Sequence, residues 1–121
     1  MKSTERGRLG EERAGRFLVA RGFTVVERNY RTRRGEIDAI AVRDGILHFI
    51  EIKTYAALGP EALEYSLGRR KRATILGVSK EFLYKNGRFS ESTVQYDVLF
   101  LGGDGTNPIL MENVFTESGV A

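Results

Sequence analysis

A chain of 121 residues fits one domain, and an apolar fraction of 41% with 10% aromatics is enough for one packed core rather than a disordered tail. The chain has no cysteine, which rules out disulfides and thiolate metal sites, and its single histidine, His48, argues against a zinc centre. The net charge of +3 is compatible with plain solubility and with a polyanionic partner, so the distribution of charge matters more than its sum.

Met1 to Arg13 is polar and charged and lacks the apolar core of a signal peptide. No stretch approaches the roughly 20 apolar residues needed to span a bilayer. The expectation is a cytoplasmic protein with no membrane partner. Residues 8–21 carry Leu9, Ala14, Phe17 and Leu18 at helical spacing, and Gly22 is placed to stop that helix. Phe23 to Arg28 alternates and reads as a strand, followed by a basic connector from Asn29 to Arg34.

Gly35 to Arg43 and Ile46 to Thr54 read as two strands joined by Asp44-Gly45, a strong hairpin signal for a type I′ turn. Counting outward from that turn pairs Arg43 with Ile46, Ala41 with His48 and Ile37 with Ile52, and sets Asp38 beside Glu51. Residues 55–67 read as irregular, with Gly59-Pro60 a turn and a short helix from Pro60 to Tyr65. Residues 68–86 read as the second main helix, with Ala73, Leu76, Val78, Phe82 and Leu83 on its apolar face and Asn86-Gly87 as its stop. Val94 to Leu101 is an apolar strand, Ile109 to Phe115 a last edge strand, and Thr116 to Ala121 a frayed tail. The order α-β-β-β-α-β-β implies an α/β fold with a central mixed sheet flanked by helices, in one domain over residues 1–121.

The chemistry concentrates on the hairpin. Residues two apart on a strand share a face, so Glu51 and Lys53 point the same way and Asp38 can join them. Carboxylates beside Ala39, Ile40, Phe49 and Ile50 need a partner. A hard cation, Mg²⁺ or Mn²⁺, suits oxygen ligands, and Asp38 and Glu51 are the expected metal ligands with Ile52 in the same set. Such an ion beside a phosphate points to phosphodiester hydrolysis. Lys53 can meet the charge that builds on the phosphate, or simply pair with Glu51 or Glu36. Glu36 is an acid beside Asp38 or a partner for Arg34. Glu11, by pattern alone, is a solvated helix residue near Arg8 or Arg16.

Two basic runs flank the acids. Arg31, Arg33 and Arg34 follow Arg28, and Arg69, Arg70, Lys71 and Arg72 open the second helix, where a bound phosphate would suit the helix N-terminus. They are the expected nucleic-acid contacts. Tyr30 and Tyr55 cover the sheet edge or stack on bases, His48 is structural, and the role of Asp97 is open, orienting an arginine being one option.

Gly35-Glu36-Ile37-Asp38 followed by Phe49-Ile50-Glu51-Ile52-Lys53-Thr54 resembles the PD-(D/E)xK nuclease superfamily. The ordered set, with Gly10-Glu11 ahead of it, Asn29-Tyr30-Arg31, Lys71 and Tyr96-Asp97-Val98, resembles the bacterial YraN-like family over roughly residues 7–101. That resemblance implies a restriction-endonuclease-like core similar to that of archaeal Holliday-junction resolvases, which are dimers acting on branched DNA. It makes Asp38 and Glu51 metal ligands, Lys53 the catalytic lysine and Glu11 a further acid. Tyr55 stands where the family usually has arginine, and the proline of the superfamily's first motif is absent. The expectation is a Mg²⁺- or Mn²⁺-dependent DNA endonuclease, possible as a homodimer. The alternatives are a nuclease-like module that binds nucleic acid without cutting it, and a protein-binding member of the same fold.

Overall fold

The computed structural model describes residues 3–54, 67–102, 107–117 and 119–120. Helix α1 runs Ser3–Ala20, β1 Thr24–Thr32, β2 Gly35–Arg43, β3 Ile46–Thr54, α2 Arg69–Lys85, β4 Thr93–Leu101, β5 Ile109–Thr116 and β6 Gly119–Val120. The expected short helix at 60–65 and Tyr55 lie outside the described residues.

Local chemistry places the element ends. Gly22, at φ +89°, donates its N–H to the Val19 carbonyl while Phe23 N–H reaches the Leu18 carbonyl. This pair of bonds satisfies carbonyls that the end of α1 would leave open, and a glycine tolerates the positive φ it needs. Asp44 (φ +52°) and Gly45 (φ +76°) form the expected hairpin turn, with Arg43 opposite Ile46 and Ala41 opposite His48. Asn86 N–H closes α2 on the Phe82 carbonyl.

The strands form one six-stranded sheet in the order β1-β2-β3-β4-β5-β6. All neighbours are antiparallel except β3 and β4, which run parallel and are joined through α2. A parallel pair needs a long crossover, and the apolar stripe of α2 lets that crossover pack back on the sheet. One core lies under α2, where Ile75, Val78 and Phe82 meet Ile37, Ile40, Phe49 and Phe100. The other lies under α1, where Ala14 and Leu18 meet Ala39, Ala41, Ile50, Leu99 and Leu101. Phe49 and Phe82 are fully buried with their rings edge-on at 5.9 Å, each contributing about 2 kcal/mol of burial. The molecule is thus an α/β protein with a mixed sheet between two helices, consistent with a restriction-endonuclease-like core.

Several expectations need correction. Strand β1 extends to Thr32 through the basic connector, because Tyr30 and Arg31 pair with Ile37 and Glu36. On α2, Ala73 is exposed and Ile75 and Ser79 are buried beside the expected Val78 and Phe82, while Leu76 and Leu83 are partly buried against the same core as expected. Ser79 can face the core because its hydroxyl bonds the Leu76 carbonyl and the Tyr96 hydroxyl. The tail is not wholly frayed, since Gly119 and Val120 pair with Thr116 and Phe115.

Candidate active site

Strand β2 breaks its own alternation at the acidic motif. Ile37 and Ile40 both belong to the core under α2, while Ala39 and Ala41 belong to the core under α1. In a regular strand, residues three apart point to opposite faces. The irregularity therefore lies between Ile37 and Ile40, which is where Asp38 sits. On the neighbouring strand Arg28 faces Ala39 and Tyr30 faces Ile37, so Asn29, at φ +50°, lies across from Asp38.

The β2–β3 register ends here too. Its last pair is Ala39 with Ile50, so the expected pairing of Ile37 with Ile52 is absent. The Ile52 N–H instead donates to the Asp38 carboxylate at 2.7 Å. A side chain replaces the main-chain acceptor, and the two strands part at the residues that carry the acids. Asp38 is half-buried, and its pKa is pushed up to about 7. Burial is the main cause and the charge of Glu51 the next; the Ile52 N–H and the charge of Lys71 pull the other way.

Glu51 follows Phe49 on the α2 side of β3 and is only 6% exposed. Its Oε1 accepts from Lys53 Nζ and from Lys71 Nζ, each at 3.2 Å. Lys53 reaches it along the same strand face, as expected. Lys71 reaches it from the first turn of α2, a contact that the helical periodicity of 68–86 did not reveal because it joins residues twenty positions apart in sequence. On the α1 side, Asp38, Ile52 and Thr54 line a cavity of about 300 Å³ together with Glu11, Arg28 and Asn29.

The structure brings Asp38, Glu51, Lys53 and Lys71 into one electrostatic cluster. Glu11 stands on the rim of the cavity, exposed, with its carboxylate accepting from the Asn29 amide at 3.1 Å. Glu11, Asp38 and Glu51 do not converge within 4.8 Å of one another. Glu36 pairs with Arg31 at 3.6 Å, not with Arg34. Arg34 lies over Gly77 of α2, Arg72 donates to the Leu67 carbonyl at 2.7 Å, and Arg33, Arg69 and Arg70 are exposed.

Asp97 does not orient an arginine. Its Oδ2 accepts from His48 Nδ1 at 2.6 Å and its Oδ1 from Asn113 N–H at 2.9 Å, with both side chains buried. With Glu112 these form the one trio of ligand-type residues within 4.8 Å among the described residues, so an acidic metal site there is geometrically possible. Both oxygens of Asp97 are already bonded, however, and Glu112 pairs with Arg43. The cluster satisfies itself and ties β3, β4 and β5 together.

Comparison with known proteins gives the family. The model of the uncharacterised protein family UPF0102 matches residues 10–101. The chain belongs to the UPF0102 family. A UPF0102 protein of Nitratiruptor sp. is 44% identical over 87 residues, covering 72% of this chain and 75% of that protein. One from Campylobacter jejuni is 41% identical over 98 residues, covering 81% and 84%, and one from Treponema pallidum is 35% identical over 98 residues, covering 81% and 78%. The UPF0102 match holds the whole cluster of Asp38, Glu51, Lys53 and Lys71, with Glu11 and Asp97, and stops at the end of β4. Glu112 falls outside the matched residues. No helix among the described residues is long and apolar enough to cross a membrane.

Proposed function

We propose that this UPF0102 protein is a Mg²⁺- or Mn²⁺-dependent endonuclease that hydrolyses DNA phosphodiester bonds, with branched DNA as the favoured substrate shape. The observation that carries the reading is the junction at which β2 and β3 part. There burial and the neighbouring charge of Glu51 make Asp38 costly to ionise, and two lysines are drawn onto Glu51. Two such carboxylates, one buried and one half-buried, suit a divalent cation, and their hard oxygens match Mg²⁺ or Mn²⁺. Asp38, Glu51 and the main-chain carbonyl of Ile52 would hold it. Bound there, the ion would polarise the scissile phosphate and ease deprotonation of a water.

The chain's own residues take the remaining roles. Lys53 is tethered beside Glu51 and offers an ammonium to the phosphate oxygens as negative charge grows on them. Asp38 is kept in place by the Ile52 N–H, so its position does not depend on the ion. Glu11, on the rim of the α1-side cavity, is placed to accept a hydrogen bond from water or from a sugar hydroxyl. Arg31 at the end of β1, Arg33 and Arg34 on the β1–β2 turn, and Arg69, Arg70 and Arg72 at the start of α2 would guide the phosphate backbone.

The test is cleavage of labelled linear duplex, flap, four-way junction and single strand with Mg²⁺, Mn²⁺ or EDTA. Wild type is expected to give metal-dependent products, most from the junction or flap. Asp38→Ala and Lys53→Ala are each expected to lower the rate at least 100-fold, the scale on which charge stabilisation is lost. DNA binding should survive Lys53→Ala. Products that persist unchanged in both variants would refute the assignment. Salt-sensitive binding with no product under any metal would point instead to a non-catalytic nucleic-acid-binding module.

A further inference from the structure

One oxygen, Glu51 Oε1, holds two ammonium groups at 3.2 Å. The cluster as a whole sets two carboxylates, Asp38 and Glu51, against two lysines, yet both ammonium groups crowd the same oxygen. With Glu51 only 6% exposed, a second cation on the same oxygen is repelled by the first with little water to screen the pair. The two lysines are not equivalent. Lys53 sits two residues from Glu51 on the same strand face, with its side chain 22% exposed. Lys71 comes from another element, is 39% exposed, and stands in the first turn of α2. That turn is capped by Gly68, contains no acidic residue and follows no side-chain cap bond. The helix dipole opposes a cation there, so α2 itself does not favour keeping Lys71 on the site.

We propose that Lys71 is a displaceable counter-ion that occupies Glu51 while no divalent cation is bound, competes with that cation for the carboxylate, and is drawn off by a DNA phosphate. The inference rests on the reading of Asp38 and Glu51 as metal ligands. It gives the protein a built-in coupling. Whatever takes Lys71 away from Glu51 raises the affinity for the cation, and the cation raises the affinity for phosphate by the same factor. The start of α2, where Arg69 and Arg70 are exposed, is a suitable place for the phosphate that Lys71 would meet. The site would then load fully only when substrate lies on it.

The experiment is calorimetric titration of Mn²⁺ into the full chain without DNA, for wild type, Lys71→Gln, Lys71→Arg and Asp38→Asn. Lys71→Gln is expected to bind Mn²⁺ about tenfold more tightly than wild type, the scale of one partly screened charge. Lys71→Arg keeps the charge and is expected to stay within about twofold of wild type. Asp38→Asn should abolish the signal and so assign it to this site. A second titration adds a saturating short duplex with non-hydrolysable linkages, which should tighten Mn²⁺ binding more in wild type than in Lys71→Gln. Equal Mn²⁺ affinity for wild type and Lys71→Gln, or equal tightening by Lys71→Arg and Lys71→Gln, overturns the proposal while leaving the metal site standing. No Mn²⁺ binding by any of the four proteins overturns the metal-site reading itself.

Discussion

Asp38 has one main-chain donor and a negative neighbour, and these act against each other. The Ile52 N–H favours the carboxylate, while burial and Glu51 disfavour it and win, raising the pKa to about 7. Because the folded pKa lies above the ordinary carboxylate range, this group adds stability that is fully present in acid and is lost as pH rises through 7. Asparagine cannot ionise and escapes that loss. In EDTA, Asp38→Asn should therefore melt higher than wild type at pH 8, by roughly 5 °C. The gap should shrink steadily toward pH 5. A difference that stays constant between pH 5 and pH 8 would mean that ionisation of Asp38 carries no strain. The residues of this site were legible in the primary structure as types and spacings. Alternation set Glu51 and Lys53 on one strand face, but the expected pairing of Asp38 with Glu51 across the hairpin is absent, because the β2–β3 ladder ends at Ala39 and Ile50. The raised pKa of Asp38 was not legible, because it depends on how deeply that group is buried.

At the scale of elements, the glycine of the Gly35-Glu36-Ile37-Asp38 motif has a packing role that no spacing rule shows. Gly35 has φ +153°, and a Cβ there would come within 2.5 Å of Thr74 Cγ2 on α2. Threonine is branched at Cβ and has few rotamers into which it can retreat. Close approach of α2 to the start of β2 helps hold Lys71 within reach of Glu51. Gly35→Ala should cost about 2 kcal/mol, read as a lower urea midpoint with an unchanged m-value. Unaltered stability would show that α2 yields without strain. Gly15 presents the opposite case. A Cβ on it would meet the Arg28 guanidinium at 2.0 Å, but that is the end of a flexible side chain and can move. The helices and the hairpin were readable because their signals are local. The break in β2 was not, since it reflects how Asn29, Asp38 and Ile52 settle together across three strands.

Across the whole molecule, charge is asymmetric around the cluster. Arg33 on the β1–β2 turn and Arg69 and Arg70 at the start of α2 are exposed. Arg31, Arg34 and Arg72 are tied down by Glu36, by contact with Gly77 and by the Leu67 carbonyl. Each lysine or arginine that meets a phosphate releases a counter-ion, contributing about 0.9 to the slope of log affinity against log salt. Replacing Arg33, Arg69 and Arg70 together by alanine should lower that slope by nearly 3 for duplex binding and leave stability unchanged. A slope identical to wild type would place the DNA on another face.

Local signals were enough for the order of the main elements, the hairpin register near its turn, the two amphipathic helices and the types of the acid and lysine residues. These depend on periodicity, turn chemistry and side-chain type, all of which act over a few neighbouring residues. That β2 and β3 part at Asp38, that Lys71 shares Glu51 with Lys53, and that Asp97 serves His48 and Asn113 emerges only in the folded chain. Those outcomes are settled by burial and by contacts between distant segments, where the cost of an unpaired charge or N–H selects the partner.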